Sequence, residues 1–170
     1  MSEGQDEGAG GDIEFATARG RDYPSVRQFN VFLENRVGNL LSVVRRFEST
    51  DIRIVSLTIV DSADCAIIRM VLTDPERARE IFELAKLPIT ESDLLVVELP
   101  DTKQPLVAIC KALLGAELGI NYAYPLLIGP HGRSALALHV EDHETAARTL
   151  VRLGFTLFTE ADLESDDDLR

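Results

Sequence analysis

Apolar positions along the central part of the chain switch between a two-residue period and a helical period. Residues 26–34 are rich in β-branched and aromatic side chains, with apolar residues on one alternating face, and this pattern predicts a strand. Residues 40–47 carry apolar positions three and four apart and predict a helix, with Asn39 as its N-cap. Two further extended runs, 52–60 and 65–73, flank a short polar turn and predict a hairpin.

A second helix is predicted from Pro75 onward. Asp74 is a suitable N-cap, proline is favoured at the first helical position, and Glu76 places an acid in the first turn. A short strand at 88–93 completes the order strand, helix, strand, strand, helix, strand. The residues of this helix expected to face the core are Ala78, Ile81, Phe82 and Ala85.

The same order of elements occurs a second time, about 66 to 68 residues further along the chain. Asp74 and Asp142 are candidate N-caps of equivalent helices. The second set of elements is a strand at 93–99, a helix at 106–118, strands at 120–128 and 134–140, and a helix at 142–153. The residues of this half expected to face the core are Leu106, Ile109, Cys110, Leu113, Ala146, Leu150 and Leu153.

These elements predict an α+β fold of two ferredoxin-like βαββαβ units, residues 25–93 and 94–163, whose antiparallel sheets carry helices on one face. Because the strand at 88–93 runs directly into the next one, we expect one rigid body with two four-stranded sheets. The flanking segments 1–24 and 164–170 are acidic, and we expect the first to be disordered. A charged tail of this kind is a solubilising appendage or an interaction arm.

Composition narrows the classes of partner. Of the 170 residues, 45% are apolar, and 17 basic against 29 acidic residues give a net charge of −12. A negative charge of this size repels phosphate and anionic lipid, so neither nucleic acid nor a membrane is expected as a partner. The sequence has no apolar run of bilayer length and no secretory signal, which favours the cytoplasm. Cys65 and Cys110 are expected to be small buried side chains in a reducing compartment.

Sequence motifs for catalysis are missing. The chain has no G-x-S-x-G, P-loop, dinucleotide fingerprint or C-x-x-C motif, so we expect neither enzyme activity nor a cofactor. An enzyme of the ferredoxin-like class would need a strongly perturbed ionisable group in a cleft. His139, Glu141 and His143 form an H-x-E-x-H string, which suggests either a metal site or ordinary surface histidines. Because the string spans a strand end and a helix start rather than one helical face, we expect no metal.

The turn between the first strand and the first helix is the best candidate for ligand binding. A helix start presents unpaired backbone N–H groups, which can hold a small carboxylate without a basic side chain. Gly38 stands directly before the helix, where it lets the backbone adopt an unusual conformation and lets a ligand approach closely. The same glycine is equally compatible with a tight turn and nothing more.

The string FLENRVGNL at 32–40 resembles the strand-to-helix motif of the ACT domain, a βαββαβ regulatory module that binds amino acids and related effectors. Over residues 26–163 the chain resembles stand-alone bacterial proteins made of two ACT domains, and it is similar to the small regulatory subunits of acetolactate synthase. Tyr122 and Tyr124 match the aromatic second strand that the second unit has in that subgroup. The second unit departs from the motif, since Gln104 stands where glycine is expected.

The resemblance implies a regulatory protein without catalytic activity that binds a small amino acid between units, because one sheet covered on one face has no closed pocket. It also implies a homo-oligomer, such as a dimer, and a catalytic enzyme partner, with branched-chain amino acid biosynthesis as a candidate pathway. The second unit either has lost its site or supplies Lys103 and Gln104 to the first. Tyr122 and Tyr124 either line the ligand cavity or pack under the helices. The implied ligand-binding residues are Glu34, Asn35, Arg36, Val37, Gly38, Asn39, Leu40, Lys103, Gln104, Tyr122 and Tyr124.

The alternative is a structural module from a different functional class. In that case the sheets associate through their edges and no small molecule is involved.

Overall fold

A computed structural model describes residues 21–62 and 64–165. The segments expected to be tails, 1–24 and 164–170, lie mostly outside these residues. The described chain contains β1 (Val26–Glu34), α1 (Asn39–Val44), β2 (Ile54–Asp61), β3 (Cys65–Leu72), α2 (Pro75–Leu84), β4 (Ile89–Glu98), α3 (Pro105–Gly115), β5 (Ile120–Pro125), β6 (Ala135–Val140), α4 (His143–Arg152), β7 (Leu157–Phe158) and α5 (Glu160–Glu164). Short 3₁₀ turns follow α1 at Arg45–Phe47 and β5 at Pro130–Gly132.

The seven strands of the described residues form one antiparallel sheet in the order β2-β3-β1-β4-β6-β5, with β7 beside β4. β4 serves both units. Its first half pairs with β1, with Leu94 opposite Val26. Its second half pairs with β6, with Leu95 opposite Leu138. The expectation of two separate sheets is therefore wrong, because the chain crosses the unit boundary inside one ten-residue strand that no turn residue interrupts.

The sheet curls until its two outer strands meet. The backbone N–H of Leu127, just after β5, donates to the backbone oxygen of Val55 on β2 at 2.8 Å. The Ser56 hydroxyl donates to the backbone oxygen of Pro125 at 2.5 Å. The curl gives the sheet an outer face and an inner face, which carry alternate residues of each strand.

Helices cover the outer face in two separate cores. In the first unit, α1 and α2 pack on β1 and β3 around the fully buried Phe82, whose ring contacts those of Phe29 and Phe47. In the second unit, α3 and α4 pack on β4 and β6 around Leu113 and Leu150. The predicted α+β architecture of two βαββαβ units is confirmed, and the helices within the two units, α1 to α4, lie on one face.

Two of the three predicted N-caps are confirmed. The carboxylates of Asp74 and Asp142 each accept a hydrogen bond at 3.0 Å from the backbone N–H three residues further on, as N-caps do. The prediction for Asn39 is wrong by one residue, since Gly38 is the N-cap of α1 and Asn39 is its first helical residue.

Several apolar residues expected in the core are exposed. Leu106 is 52% exposed and Cys110 is exposed, because α3 is apolar around most of its circumference and its buried stripe is the one that contains Ile109 and Leu113. Leu153 is 55% exposed, since it lies beyond the last turn of α4. Among the helices of the described residues, none has the length and apolar character needed to cross a membrane.

The two cysteines are free, and neither is fully buried. Cys65, at the start of β3, is half-buried, and Cys110 is exposed on α3. The expectation that both are small core side chains is therefore wrong.

The inner face holds a third core, to which both units contribute. Its members are Val26, Val55, Val71, Leu94, Val96, Tyr124, Ala135, Ala137, Phe158 and Leu163. Phe158 and Leu163 belong to β7 and α5, two elements that the sequence did not reveal. Glu160 of α5 accepts a hydrogen bond at 2.9 Å from the backbone N–H of Arg27, whose guanidinium bonds Glu76 at 2.8 Å. The C-terminal segment thus ties the second unit to the first.

Candidate functional site

The turn between β1 and α1 has an unusual backbone. Gly38 has a φ of +89°, in the left-handed region that residues with a Cβ rarely adopt. A Cβ built on Gly38 would meet no atom within 4 Å, so the turn is open on that side. The Asn39 side chain donates to the backbone oxygen of Glu34 at 2.5 Å, and Asn35 donates to Asp61 at 2.7 Å. These bonds hold the turn against the ends of β1 and β2.

The turn presents free donors beside exposed apolar side chains. The backbone N–H groups of Leu40 and Leu41 have no acceptor among the described residues, as expected at the start of a helix. Val37 is fully exposed and Leu41 is 58% exposed. Arg36 forms an exposed ion pair with Glu34 at 2.6 Å. The turn can therefore accept an anionic group, and a single chain leaves its apolar side chains uncovered.

The corresponding turn of the second unit lies at the opposite end of the sheet. Lys103 and Gln104 are exposed, and Gln104 is the N-cap of α3 with an extended φ of −135°. Because β1 and β4 are antiparallel and overlap only over their first residues, their last residues are separated by roughly 40 Å of extended strand. Lys103 and Gln104 therefore do not reach the 34–40 turn of the same chain.

A pocket of about 230 Å³ lies beside this second turn. Its lining includes Glu98 and Asp101 on one side and Gly154 and Phe155 on the other. Glu98 pairs with Arg133 at 2.6 Å, and none of the residues expected to bind a ligand belongs to this lining.

Tyr122 and Tyr124 lie on the inner face of the sheet, opposite the face that α1 to α4 cover, so they do not pack under those helices. The Tyr124 hydroxyl donates to Gln28 Oε1 at 2.6 Å, and Gln28 Nε2 donates to the Tyr122 hydroxyl at 2.9 Å. Burial raises the pKa of Tyr124, the nearby Tyr122 raises it further, and Arg69 opposes this effect. The two tyrosines contact β1 across the curled sheet rather than the 34–40 turn.

Asn30 extends the network that starts at the tyrosines. Its side-chain oxygen accepts a bond from Gln28 Nε2 at 2.7 Å, and its Nδ2 donates to Ser92 Oγ at 2.9 Å and Thr90 Oγ1 at 3.2 Å. Gln28 is 0% exposed, whereas Thr90 is exposed, so the network runs from the interior to the surface. We call the following residues the inner polar cluster: Gln28, Asn30, Thr90, Ser92, Tyr122 and Tyr124.

Arg69 of β3 lies over this cluster. Its guanidinium carbon is 3.8 Å from the centre of the Tyr122 ring, a cation–π contact. His139 stacks on the same tyrosine with ring centres 4.7 Å apart. Burial lowers the pKa of His139, with His143 and Arg69 adding to the effect and Asp93 opposing it. Arg69 forms no hydrogen bond or ion pair with any residue in the described part of the chain.

The H-x-E-x-H string places its two histidines together. The rings of His139 and His143 meet edge to face with centres 5.1 Å apart, whereas Glu141 is exposed. Within residues 21–62 and 64–165, no group of three or more histidine, cysteine, aspartate or glutamate side chains is placed to hold a metal ion.

The sequence reasoning missed most of the inner polar cluster. Gln28 and Asn30 are polar residues two apart inside the otherwise apolar strand at 26–34, and Thr90 and Ser92 repeat that spacing on β4. Arg69 is a lone charge within an apolar strand. A two-residue polar period on the face opposite the core was therefore the available signal.

Comparisons with known proteins agree with this fold. The sequence profile of a family described as "ACT domain pair" matches residues 24–165. No curated protein sequence matches the chain. The crystal structure of protein BT0572 from Bacteroides thetaiotaomicron is similar at a TM-score of 0.75 and 20% identity, covering 84% of this chain and 98% of that one.

Two further solved structures are those of enzyme subunits. The regulatory subunit of aspartate kinase from Thermus thermophilus is similar at a TM-score of 0.52 and 13% identity, covering 76% of this chain and 92% of that one. The small subunit of acetolactate synthase from Thermotoga maritima reaches a TM-score of only 0.33 at 11% identity, with 75% and 86% covered, which is too low to carry an argument. At these identities the likenesses show the fold alone.

Proposed function

The chain belongs to the family of ACT domain pairs, and from that premise we propose that it is a non-catalytic regulatory protein that binds a small amino acid. Its occupancy is passed to a catalytic enzyme partner in amino acid metabolism, with branched-chain biosynthesis as the candidate pathway. The match to this family over residues 24–165 is the observation that carries the proposal. A similar fold in the regulatory subunit of aspartate kinase from Thermus thermophilus is consistent with such a role.

We place the effector at the 34–40 turn. The free N–H groups of Leu40 and Leu41 hold the carboxylate of the amino acid, and Gly38 allows the ligand to come close to the backbone. Arg36 and Glu34 are within the same turn and supply polar contacts to the two charged ends of the ligand. The residues that carry these groups are exposed, so a ligand can reach them directly from solvent.

A second copy of the chain closes this site in our proposal. The second turn of the same chain lies at the other end of the sheet, so it cannot cover the first. Val37, Leu40 and Leu41 form an exposed apolar border along the turn, which a second copy would bury. The oligomer is therefore part of the proposed binding site.

Calorimetric titration with each of the twenty amino acids tests the proposal. We expect one or a few to bind, and Gly38→Val to weaken binding by about tenfold or more, because a β-branched side chain blocks the approach and strains a positive φ. Gly132→Val is the matched control, since Gly132 also has a positive φ and open space but lies between β5 and β6. Equal binding by both variants would contradict the site, and no binding to the wild type would contradict the function.

The second candidate function is an assembly module without a ligand, which the exposed apolar border also favours. A thermal-shift series separates the two functions. A bound amino acid raises the melting temperature by mass action at fixed protein concentration, whereas pure assembly responds to protein concentration alone.

A further inference from the structure

The inner face of the first unit carries a positive charge without a partner. Arg69 is half-buried, its guanidinium rests on the Tyr122 ring, and no carboxylate within the described residues pairs with it. The nearest acid on the same face of β1 is Glu34, four residues beyond Asn30 and already paired with Arg36. An arginine removed in part from water gains from an anionic partner, which a bound ligand can supply.

The surroundings of Arg69 suit a carboxylate with a second polar group. The strand register places Asn30 and Thr58 directly opposite Arg69 on the two neighbouring strands. Asn30 in turn bonds the hydroxyls of Thr90 and Ser92, of which Thr90 is exposed. Hydroxyl and amide groups can donate to, or accept from, a hydroxyl or amino group beside a carboxylate.

The inner polar cluster and Arg69 lie beside the third core and not within it. Leu94, Val96, Phe158 and Leu163 fill that core. The cluster is buried at Gln28 and Asn30 and reaches solvent at Thr90, and Arg69 is half-buried. The mouth of a curled or closed sheet is a frequent place for small-molecule sites.

We propose that Arg69 and the inner polar cluster form a second binding site, which takes a small α-hydroxy or α-amino carboxylate at the mouth of the curled sheet. Arg69 pairs with the carboxylate, and the hydroxyls of Thr90 and Ser92, which Asn30 holds in place, bond the neighbouring polar group. Tyr122 positions the guanidinium from below. The site is separate from the 34–40 turn, which begins four residues further along β1, about 13 Å of extended strand.

Thermal shift and calorimetry with glycolate, glycine, acetate and sulfate test this site. We expect glycolate or glycine to bind, acetate to bind more weakly because it lacks the second polar group, and sulfate to compete poorly. Arg69→Gln should weaken binding by about tenfold or more, and Arg69→Lys should restore part of it, because the charge is kept without the planar fork. Arg46→Gln, an exposed arginine on the 3₁₀ turn after α1, is the matched control.

A second variant keeps the test informative if Arg69→Gln does not fold. Thr90→Val changes an exposed residue and replaces its hydroxyl with a methyl group of similar size, so it should weaken the binding of glycolate or glycine severalfold. The Nε–H signal of Arg69 can be assigned in NMR spectra because it is missing from the spectrum of Arg69→Lys. This signal should shift when glycolate or glycine is added to the wild type. Equal binding of sulfate, or binding unaffected by both Arg69 variants, would overturn the site. Loss of glycine binding in Gly38→Val alone would overturn it while supporting the 34–40 turn.

Discussion

The inner faces of the two units differ although their folds are the same. In the first unit, β1, β3 and β4 present Gln28, Asn30 and Arg69 among other polar residues. In the second unit, the end of β4 and β6 present small apolar residues that Phe158 and Leu163 cover. Both units bury α1 to α4 on the outer face. The inner face is therefore divided between the third core, which stabilises the fold and to which both units contribute, and the inner polar cluster beside it.

Among the proposed substitutions, removal of the Phe158 side chain, which fills the inner face of the second unit, should have the largest effect on stability. Phe158→Ala should lower the free energy of unfolding by about 3–5 kcal/mol, because Phe158 is 5% exposed and its loss leaves a cavity. Urea unfolding measures the change. Leu127→Ala is the control, because Leu127, just after β5, is 69% exposed. It should change the free energy of unfolding by about 0.5 kcal/mol or less. Similar losses for both would show that the second unit's inner face is not a core.

The polar network of the first unit should respond differently from an apolar core. Gln28→Leu should cost about 1–3 kcal/mol, because it leaves the buried Tyr124 hydroxyl without its acceptor. Tyr124→Phe alone should also destabilise the protein, and the double variant should cost less than the sum of the two single variants. A double-mutant cycle in urea measures this coupling. Strict additivity would show that the hydrogen bond does not stabilise the native state.

The smallest expected effect is a dependence of stability on pH, which arises from His139 at the border between the two inner faces. Because burial lowers the pKa of His139, the unfolded chain binds a proton near the ordinary pKa of about 6.5 while the folded chain does not. Stability should therefore fall as the pH decreases through 6.5 toward the lower folded pKa. Neighbouring His143 and Arg69 act in the same direction, and Asp93 acts against it.

His139→Gln should flatten this dependence. Unfolding free energies of the wild type and the variant, measured at pH 7, 6 and 5, should diverge toward acid pH after subtraction of their difference at pH 7, because only the wild type loses the contribution of His139. Parallel profiles would mean that His139 titrates equally in both states.

The order of elements could be predicted from the sequence because it depends on local patterns. The strand at 26–34 coincides with β1, and Asp74 and Asp142 cap α2 and α4 as expected. The unusual backbone of Gly38 was also expected, because a residue without a Cβ directly before a helix can adopt it. α5 was not predictable, because five residues have too little periodicity to reveal a helix.

The site was predicted less well than the fold. Tyr122 and Tyr124 were identified as candidates, but their partner Gln28 lies about a hundred residues earlier, and only the curl of the sheet brings them together. Likewise, one alternative had Lys103 and Gln104 contribute to the site of the first unit, yet the shared strand β4 places them at the other end of the sheet. Contacts between distant strands depend on register and curvature, which no local pattern encodes.

The sequence by itself determined the duplicated βαββαβ order, the helix starts and the open glycine turn, because each follows from side-chain period and backbone preference over a few residues. The tertiary structure alone decided that β4 is shared, that the outer strands meet, and that Arg69 stands over a tyrosine from the other unit. The physical reason is that burial on the outer face fixes which residues point inward, but only closure of the sheet decides which of them meet.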